Sequence, residues 1–376
     1  MICMKLRLKK KNAVIVLIIL VVLLIEFINP FKIIANNQLR NLNYSEEASK
    51  YILEYGLKNK VLDNEYSEFI NINVADKEFD VENYDYYKTL GYYEDSNDLG
   101  LINSLIDKGY TASDIECILK TGDVASIEEF LLKDRVSSDV INNFLSYDFA
   151  ILSNLDEYVE YKELNVCEYD DAVVYINLGL DREFYTNYTD VNEFSFDMLV
   201  NKYNKLSSDF VPTDLVDFPD KYCYKGIKSG NSVMIDAFDK MATALYNEKG
   251  LNIYANSAYR SYQDQEKTYD LYLKTYGQNY VNNYVSKPGF SEHQTGLCID
   301  IKAGSGNTFI KTEESAWLKE NAHLYGFILR YESDTQEITG YKHEAWHYRY
   351  VGLDIAEYIY ENDMTFEEYS VRFLYD

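Results

Sequence analysis

The chain has 376 residues, 47% hydrophobic and 15% aromatic with only 4 prolines, which excludes a disordered or Pro-rich protein and leaves enough apolar surface for packed domains. Lys and Arg number 36 against 62 Asp and Glu, a net charge of −26, which opposes nucleic-acid binding because phosphates reward clustered cations. The length suits more than one domain.

The charge is unevenly placed. Residues 1–12 hold Lys5, Arg7, Lys9, Lys10 and Lys11 and no acid, and Ala13 to Ile25 follows without a polar side chain. As a helix this run spans roughly 20 Å, short of the ~30 Å hydrocarbon core, but Phe27 and Ile28 extend it past Glu26. A cleaved signal peptide and an uncleaved signal anchor both begin this way. Cleavage wants small residues spaced as in A-x-A, and between Phe27 and Asn37 only Ala35 is small. The anchor is therefore preferred, with residues 1–35 as cytoplasmic tip and transmembrane segment and the rest outside the cell. Of the cysteines, Cys3 would be cytoplasmic. Cys117, Cys167, Cys223 and Cys298 form no C-x-x-C, which excludes a zinc ribbon or thioredoxin motif and leaves disulfides and free buried thiols both open.

Residues 36–195 read as a mainly helical region, rich in Asp, Glu, Asn and Tyr and without histidine. Segments beginning at Ser113, Ser126 and Ser138 each start with a serine that can cap a helix and continue with apolar residues at i, i+3, i+4 spacing. Gly109 and Gly122 supply stops. Short helices packed as successive hairpins are expected, a small helical domain rather than a full solenoid. A spacer and a module binding wall polymer or a partner protein both suit it. Pro212 and Pro219 then interrupt helix near a domain boundary, and residues 196–376 follow as a second domain. In it, Val233 to Tyr246 has the periodicity of an amphipathic helix, and Leu251 to Ala255 alternates as a strand does.

All four histidines, His293, His323, His343 and His347, lie in this last domain. The segment Ser291 to Ile301 ends in alternation, with Leu297, Ile299 and Ile301 on one face and Cys298 and Asp300 on the other, and Gly296 lets the chain turn so that His293 and Asp300 could meet one ion. His343-Glu-Ala-Trp-His347 matches H-E-x-x-H, the helical zincin motif, for which Glu361 or Glu367 would be a third ligand. Its flank, Tyr348 to Gly352, suits a strand instead, and a zincin leaves His293 and Asp300 idle. Ser257 to Gln265 reads as a strand end turning into a helix to about Tyr276, with Arg260 able to bind a carboxylate by its planar fork.

Three motifs in order, Ser257-x-Tyr-Arg-Ser-x-x-x-Gln265, Ser291-x-His-x-x-Gly-x-x-x-Asp300 and Glu344-x-Trp-His347-x-Arg-Tyr-Val-Gly352, resemble the VanY-type D-alanyl-D-alanine carboxypeptidases, zinc peptidases that share a fold with lysostaphin and the hedgehog signalling domain. The resemblance covers roughly residues 201–351. It implies an α+β fold with a small antiparallel sheet flanked by helices, and one Zn²⁺ per chain held by His293, Asp300 and His347. It implies Glu344 as catalytic base, Arg260 near the scissile carbonyl, and Gln265 and Ser291 near the substrate's terminal carboxylate. His343 is then incidental and His323 structural. Ala345 stands where the family usually has Pro, and Lys287 and Phe290 where Arg and a small residue or His are common. Export and resemblance together imply the D-Ala-D-Ala end of peptidoglycan stem peptides as substrate, and the basic tip and apolar run place the chain at the bacterial cell membrane with the peptidase outside. Cross-link endopeptidase and dipeptidase are the alternatives on the same site, and a non-catalytic wall-binding module is the alternative of another class.

Overall fold

The computed structural model describes residues 32–306 and 308–374. The expected tip and anchor, residues 1–35, lie almost wholly outside the described residues, among which no helix is long and apolar enough to cross a membrane. The architecture is α+β, and the chain divides between Asp156 and Glu157 into two compact units.

The first unit is helical. Leu99–Asp107 packs on Val124–Leu132, and Ala112–Thr121 on Ser138–Phe144, so each helix meets the next but one. Side chains tie the chain at a nearly constant step. The Tyr44 hydroxyl accepts from the Ser67 N–H and the Glu116 carboxylate from the Gly91 N–H, over 23 and 25 residues. The Ser96 hydroxyl donates to the Leu119 carbonyl and the Ser138 hydroxyl to the Asp114 carboxylate, over 23 and 24 residues. Such a step marks a stack of helical pairs, each burying its apolar stripe on its neighbour. Ile115, Ile118, Ile127, Phe130, Ile141 and Phe144 form that stripe and are buried.

The helix starts differ from the sequence expectation. Ser113, Ser126 and Ser138 lie inside their helices, and the caps are Thr111, Asp123 and Ser137, which accept from the N–H groups of Asp114, Ser126 and Val140. Thr and Asp serve at this position about as well as Ser, so the acceptor standing just ahead of each apolar stripe takes the role. Ser126 keeps a part of it, reaching back to the Asp123 N–H as the other half of a capping box.

In the second unit, strands Ile253–Ser257, Cys298–Ala303, His347–Tyr350 and Phe327–Leu329 form, in that spatial order, a four-stranded antiparallel sheet. Two short pairs accompany it, Thr189–Asp190 with Asn204–Lys205 and Leu215–Asp217 with Ser229–Asn231. One face of the main sheet, carrying Ile253, Ala255, Ile299, Ile301 and Tyr348, packs on Met234, Phe238, Met241 and Leu245 of helix Ser232–Lys249. Each Ile, Leu, Met or Phe among them contributes about 1.5–3 kcal/mol through burial, which holds the sheet against its helix. Asn231 caps the start of that helix on the Val233 N–H, and Gly250 ends it at φ 71°.

With the apolar residues turned to the core, alternation turns Cys298 and Asp300 to the opposite face. On the neighbouring strand His347 and Arg349 share that face, because Asp300 pairs with His347 and Cys298 with Arg349 across the ladder. Helix Tyr262–Tyr276, capped by Ser261 on the Asp264 N–H, follows the first strand and carries Gln265 inward. Cys117, Cys167, Cys223 and Cys298 are free thiols.

Candidate active site

The two histidines arrive from different local structures. His293 lies in the 3₁₀ turn Glu292–Thr295, which closes at Gly296 with φ 70°. A Cβ there would stand 3.1 Å from Leu215 and 3.2 Å from Pro212, so both the turn and the close approach call for glycine. His347 opens its strand, and the preceding Glu344–Trp346 segment is a turn closed by the His347 N–H on the Glu344 carbonyl, at 3.0 Å. His343 and His347 therefore do not share a helix face as a zincin requires. The His343 Nδ1 lies 2.8 Å from the Tyr331 carbonyl, and the Glu367 carboxylate is held by Arg330.

Arg260, Gln265, Ser291, His293, Asp300, Glu344 and His347, the seven residues singled out by motif, all line one cavity of about 160 Å³. Each imidazole has one nitrogen engaged outside the cluster. His293 Nδ1 is 2.6 Å from the Ala258 carbonyl, which only accepts, so Nδ1 carries the proton and Nε2 is the free nitrogen. His347 Nε2 is 3.2 Å from Glu292 Oε2, and its Nδ1 faces the cluster. The free nitrogens meet the two oxygens of Asp300, His347 Nδ1 at 3.1 Å from Oδ1 and His293 Nε2 at 3.4 Å from Oδ2.

These separations test whether a metal fits. Zinc bonds of ~2.0–2.1 Å to nitrogen and oxygen at tetrahedral angles hold donor atoms ~3.3 Å apart, and the two nitrogen–oxygen spacings, one to each oxygen of Asp300, lie either side of that value. The donor types, two imidazoles and one carboxylate, are those of an open catalytic zinc site, and the set fits the ion. One further residue belongs to the cluster. The Cys298 sulfur and a ring nitrogen of each of His293 and His347 lie within 4.8 Å of one another.

The electrostatics follow from burial and proximity. Burial alone would push the Asp300 carboxyl up, but His293 and His347 beside it hold it well below the usual carboxylate range. Burial opposes the charge of His293, and Cys298 and Asp300 outweigh it, lifting the imidazole to about 9. The two histidines in turn overcome burial at Cys298 and bring its thiol to about 7. Glu344 stands apart: burial, only partly offset by His347, pushes its carboxyl up to about 7. Its Oε2 is 3.9 Å from His347 Nδ1, on the edge that faces Asp300.

Arg260 is held on both prongs. Nη1 donates to Gln265 Oε1 and Nη2 to Ser257 Oγ, each at 2.8 Å, while the Gln265 amide donates to the Ser286 carbonyl at 2.7 Å. Gln265 thus has both ends of its amide engaged and fixes the guanidinium. Ser291 is buried and lines the same cavity. Tyr272, Tyr280 and Tyr284 from helices Tyr262–Tyr276 and Gln278–Tyr284, with Trp346, are among the other lining residues. Cys298 was open to sequence reasoning through strand alternation, which already put it on the Asp300 face. Glu292, adjacent to two motif residues, gave no local sign that its carboxylate meets His347.

Comparison with known proteins supplies a family. A family model described as VanY, D-alanyl-D-alanine carboxypeptidase, matches residues 229–353. The chain is 37% identical over 179 residues to the Bacillus subtilis (strain 168) protein YodJ, covering 46% of this chain and 65% of that one. It is 32% identical over 180 residues to the Enterococcus gallinarum bifunctional D-Ala-D-Ala dipeptidase and carboxypeptidase VanXYC, covering 46% of this chain and 91% of that one. A solved vancomycin-resistance D,D-pentapeptidase VanY in complex with Zn(II) is 29% identical, with 46% of this chain and 99% of that one covered and a TM-score of 0.41. Of the first three curated relatives the chain covers 45% to 65% of the length.

Proposed function

We propose a function from the family to which this chain belongs, the VanY D-alanyl-D-alanine carboxypeptidases: zinc-dependent removal of the C-terminal D-alanine from peptidoglycan stem peptides. The observation that carries the reading is the convergence of His293 Nε2, His347 Nδ1 and the Asp300 carboxylate beside Glu344 in one cavity. In this reading His293, Asp300 and His347 hold the ion. Zinc, when bound, supplies a Lewis acid for the scissile carbonyl and acidifies water.

The chain's own residues supply the rest. Glu344, whose carboxylate lies beside the ligand His347, takes the proton of the attacking water and delivers it to the leaving amine. Arg260, clamped by Ser257 and Gln265, brings fixed positive charge to the wall where the oxyanion develops, a contribution of about 3 kcal/mol in comparable sites. Ser291 and the Arg260 guanidinium that Gln265 orients offer donors to a free terminal carboxylate, the feature that separates a carboxypeptidase from an endopeptidase.

The test is mass spectrometry of stem peptides after incubation with the zinc-loaded protein. Loss of one alanine from a pentapeptide supports the proposal. Loss of a D-Ala-D-Ala unit makes it a dipeptidase, cleavage of cross-linked stems an endopeptidase, and loss of the last residue from a tetrapeptide alone an L,D-enzyme. Binding without any cleavage makes it a wall-binding module.

The proposal extends to location: residues 1–35 hold the chain in the bacterial cell membrane with both units outside, on the strength of the basic tip and the apolar run after it. N-terminal sequencing of the native protein should recover residues before Ala13. A mature chain beginning after Ala35 overturns the anchor.

A further inference from the structure

A second, wholly buried group of charges lies against the Nε2 edge of His347. Glu292 Oε2 accepts from Nε2 at 3.2 Å, while its Oε1 accepts from Arg330 Nε at 2.9 Å and from Arg349 Nη1 at 3.2 Å. The remaining nitrogens of Arg330 grip both oxygens of Glu367, on the C-terminal helix Phe366–Phe373. Arg349 also donates to the Met198 carbonyl at 2.9 Å and to the Phe196 carbonyl at 3.2 Å. The side chains of Glu292, Arg330, Arg349 and Glu367 are at most 1% exposed.

Two guanidiniums face two carboxylates, so the group is neutral as a whole with every member ionised, which is the arrangement that makes burial of charge tolerable. An ionised Glu292 can only accept. The proton between it and His347 therefore belongs to Nε2, and the lone pair available for a metal is the one on Nδ1. His293 is set the opposite way, because the Ala258 carbonyl engages its Nδ1.

We propose that Glu292 is a positioning residue for the metal centre: it keeps the His347 proton on Nε2, presents Nδ1 to the ion and raises that ligand's basicity, and it is itself held by Arg349 and by the Arg330–Glu367 tie to the C-terminal helix. The inference rests on the zinc-site reading above. The family-model match stops at residue 353, so the anchor of this relay, Glu367, lies beyond the matched segment.

The experiment uses the full chain, metal-stripped and reloaded. Zinc affinity is read by competition with a chromophoric chelator, ligand geometry by the absorption spectrum of the Co(II) form, and the nitrogen bound by ¹⁵N imidazole NMR of the zinc form. Glu292→Gln is expected to lose roughly 10–100-fold in zinc affinity and to change the cobalt spectrum. Glu367→Gln, which leaves Glu292 in contact with Arg330, Arg349 and His347, is expected to lower thermal stability and to cost several-fold less zinc affinity than Glu292→Gln. Wild-type affinity and spectrum in Glu292→Gln overturn the proposal, and so do equal affinity losses in both variants, which would make the group a scaffold only. Should Glu292→Gln not fold, the wild-type NMR decides alone: zinc on Nδ1 of His347 supports the proposal and zinc on Nε2 sinks it. A wild-type chain that takes up no zinc overturns the metal reading itself, a result distinct from the others.

Discussion

Two glutamates meet the same imidazole from opposite edges and experience opposite fields. Glu344 has only the His347 imidazole against its carboxylate, at 3.9 Å from Nδ1, and burial outweighs that contact and raises its carboxyl to about 7. Glu292, at Nε2, is more deeply buried, yet Arg330, His347 and Arg349 together overcome the burial and hold it far below the usual carboxylate range. Burial alone does not decide what a carboxylate does; the partners buried with it do. The edge facing Asp300 keeps a group that can gain and lose a proton near neutral pH. The inner edge keeps a group that cannot, which is what a fixed support requires.

The largest test of this contrast is Glu344→Gln. Gln preserves shape and an acceptor but cannot carry the proton, so kcat on a D-Ala-D-Ala peptide is expected to fall by roughly 10²–10⁴. Zinc content measured in the same sample should stay at one per chain, because His293, Asp300 and His347 are untouched. Near-normal turnover with zinc present removes Glu344 from the chemistry, whereas loss of zinc together with turnover makes it a structural residue.

On the inner edge, Arg330→Leu leaves Glu292 and Glu367 short of their shared partner in a site without solvent. Such unpaired buried charge costs about 3–5 kcal/mol, which urea denaturation should reveal. A loss below about 1 kcal/mol, the value of a surface pair, would mean that water reaches the group.

The pH dependence of stability in the metal-stripped protein should split the two glutamates by sign. Glu344 has a folded value raised above its unfolded value of ~4.3, so its neutral form favours folding below that pH and the benefit is lost as pH rises through about 7, on the order of 3 kcal/mol in all. Glu292 is depressed, so its contribution is complete above ~4.3 and is lost as pH falls below it. Wild type should therefore weaken relative to Glu344→Gln between pH 4.5 and 7. It should weaken relative to Glu292→Gln on acidification. Parallel curves for the two variants would erase the contrast. In the zinc-loaded enzyme the acid limb of kcat should lie below 7, since the nearby dication favours the Glu344 carboxylate.

The smallest effect is expected at Cys298. Its sulfur sits against both imidazoles, but the Asp300 carboxylate already stands beside the facing nitrogen of each as a third donor. Cys298→Ala should change zinc affinity by less than the ~10–100-fold expected of Glu292→Gln. A thiolate-to-cobalt absorption band that disappears in the variant would instead make sulfur a ligand.

Much of the site was legible in the sequence because its signals are local. Alternation alone separated Ile299 and Ile301 from Cys298 and Asp300, since successive strand residues point to opposite faces whatever packs there. Helix Ser232–Lys249 announced itself by apolar residues at helical spacing. The family motifs named seven residues that the fold brings to one cavity. The flank of His347 argued for the strand that the fold contains, because β-branched and aromatic residues suit a pleated surface. Helix boundaries were read less well, as at Thr111 and Asp123, where several residue types satisfy the same orphan N–H groups.

What composition and motif determined, then, is which residues could meet a metal and which stretches would be strand or helix, because periodicity and residue chemistry act over a few positions. Only the tertiary structure decided which nitrogen each histidine presents, and that Glu292 is a support while Glu344 is poised to titrate. Those outcomes depend on Arg330, Glu367 and Arg349, which contact the group from 37 to 57 residues away, and on the Ala258 carbonyl, 35 residues before His293. No local pattern encodes such pairings; they exist because the folded chain excludes water from the site and leaves each buried charge or N–H only the partners that the packing brings to it.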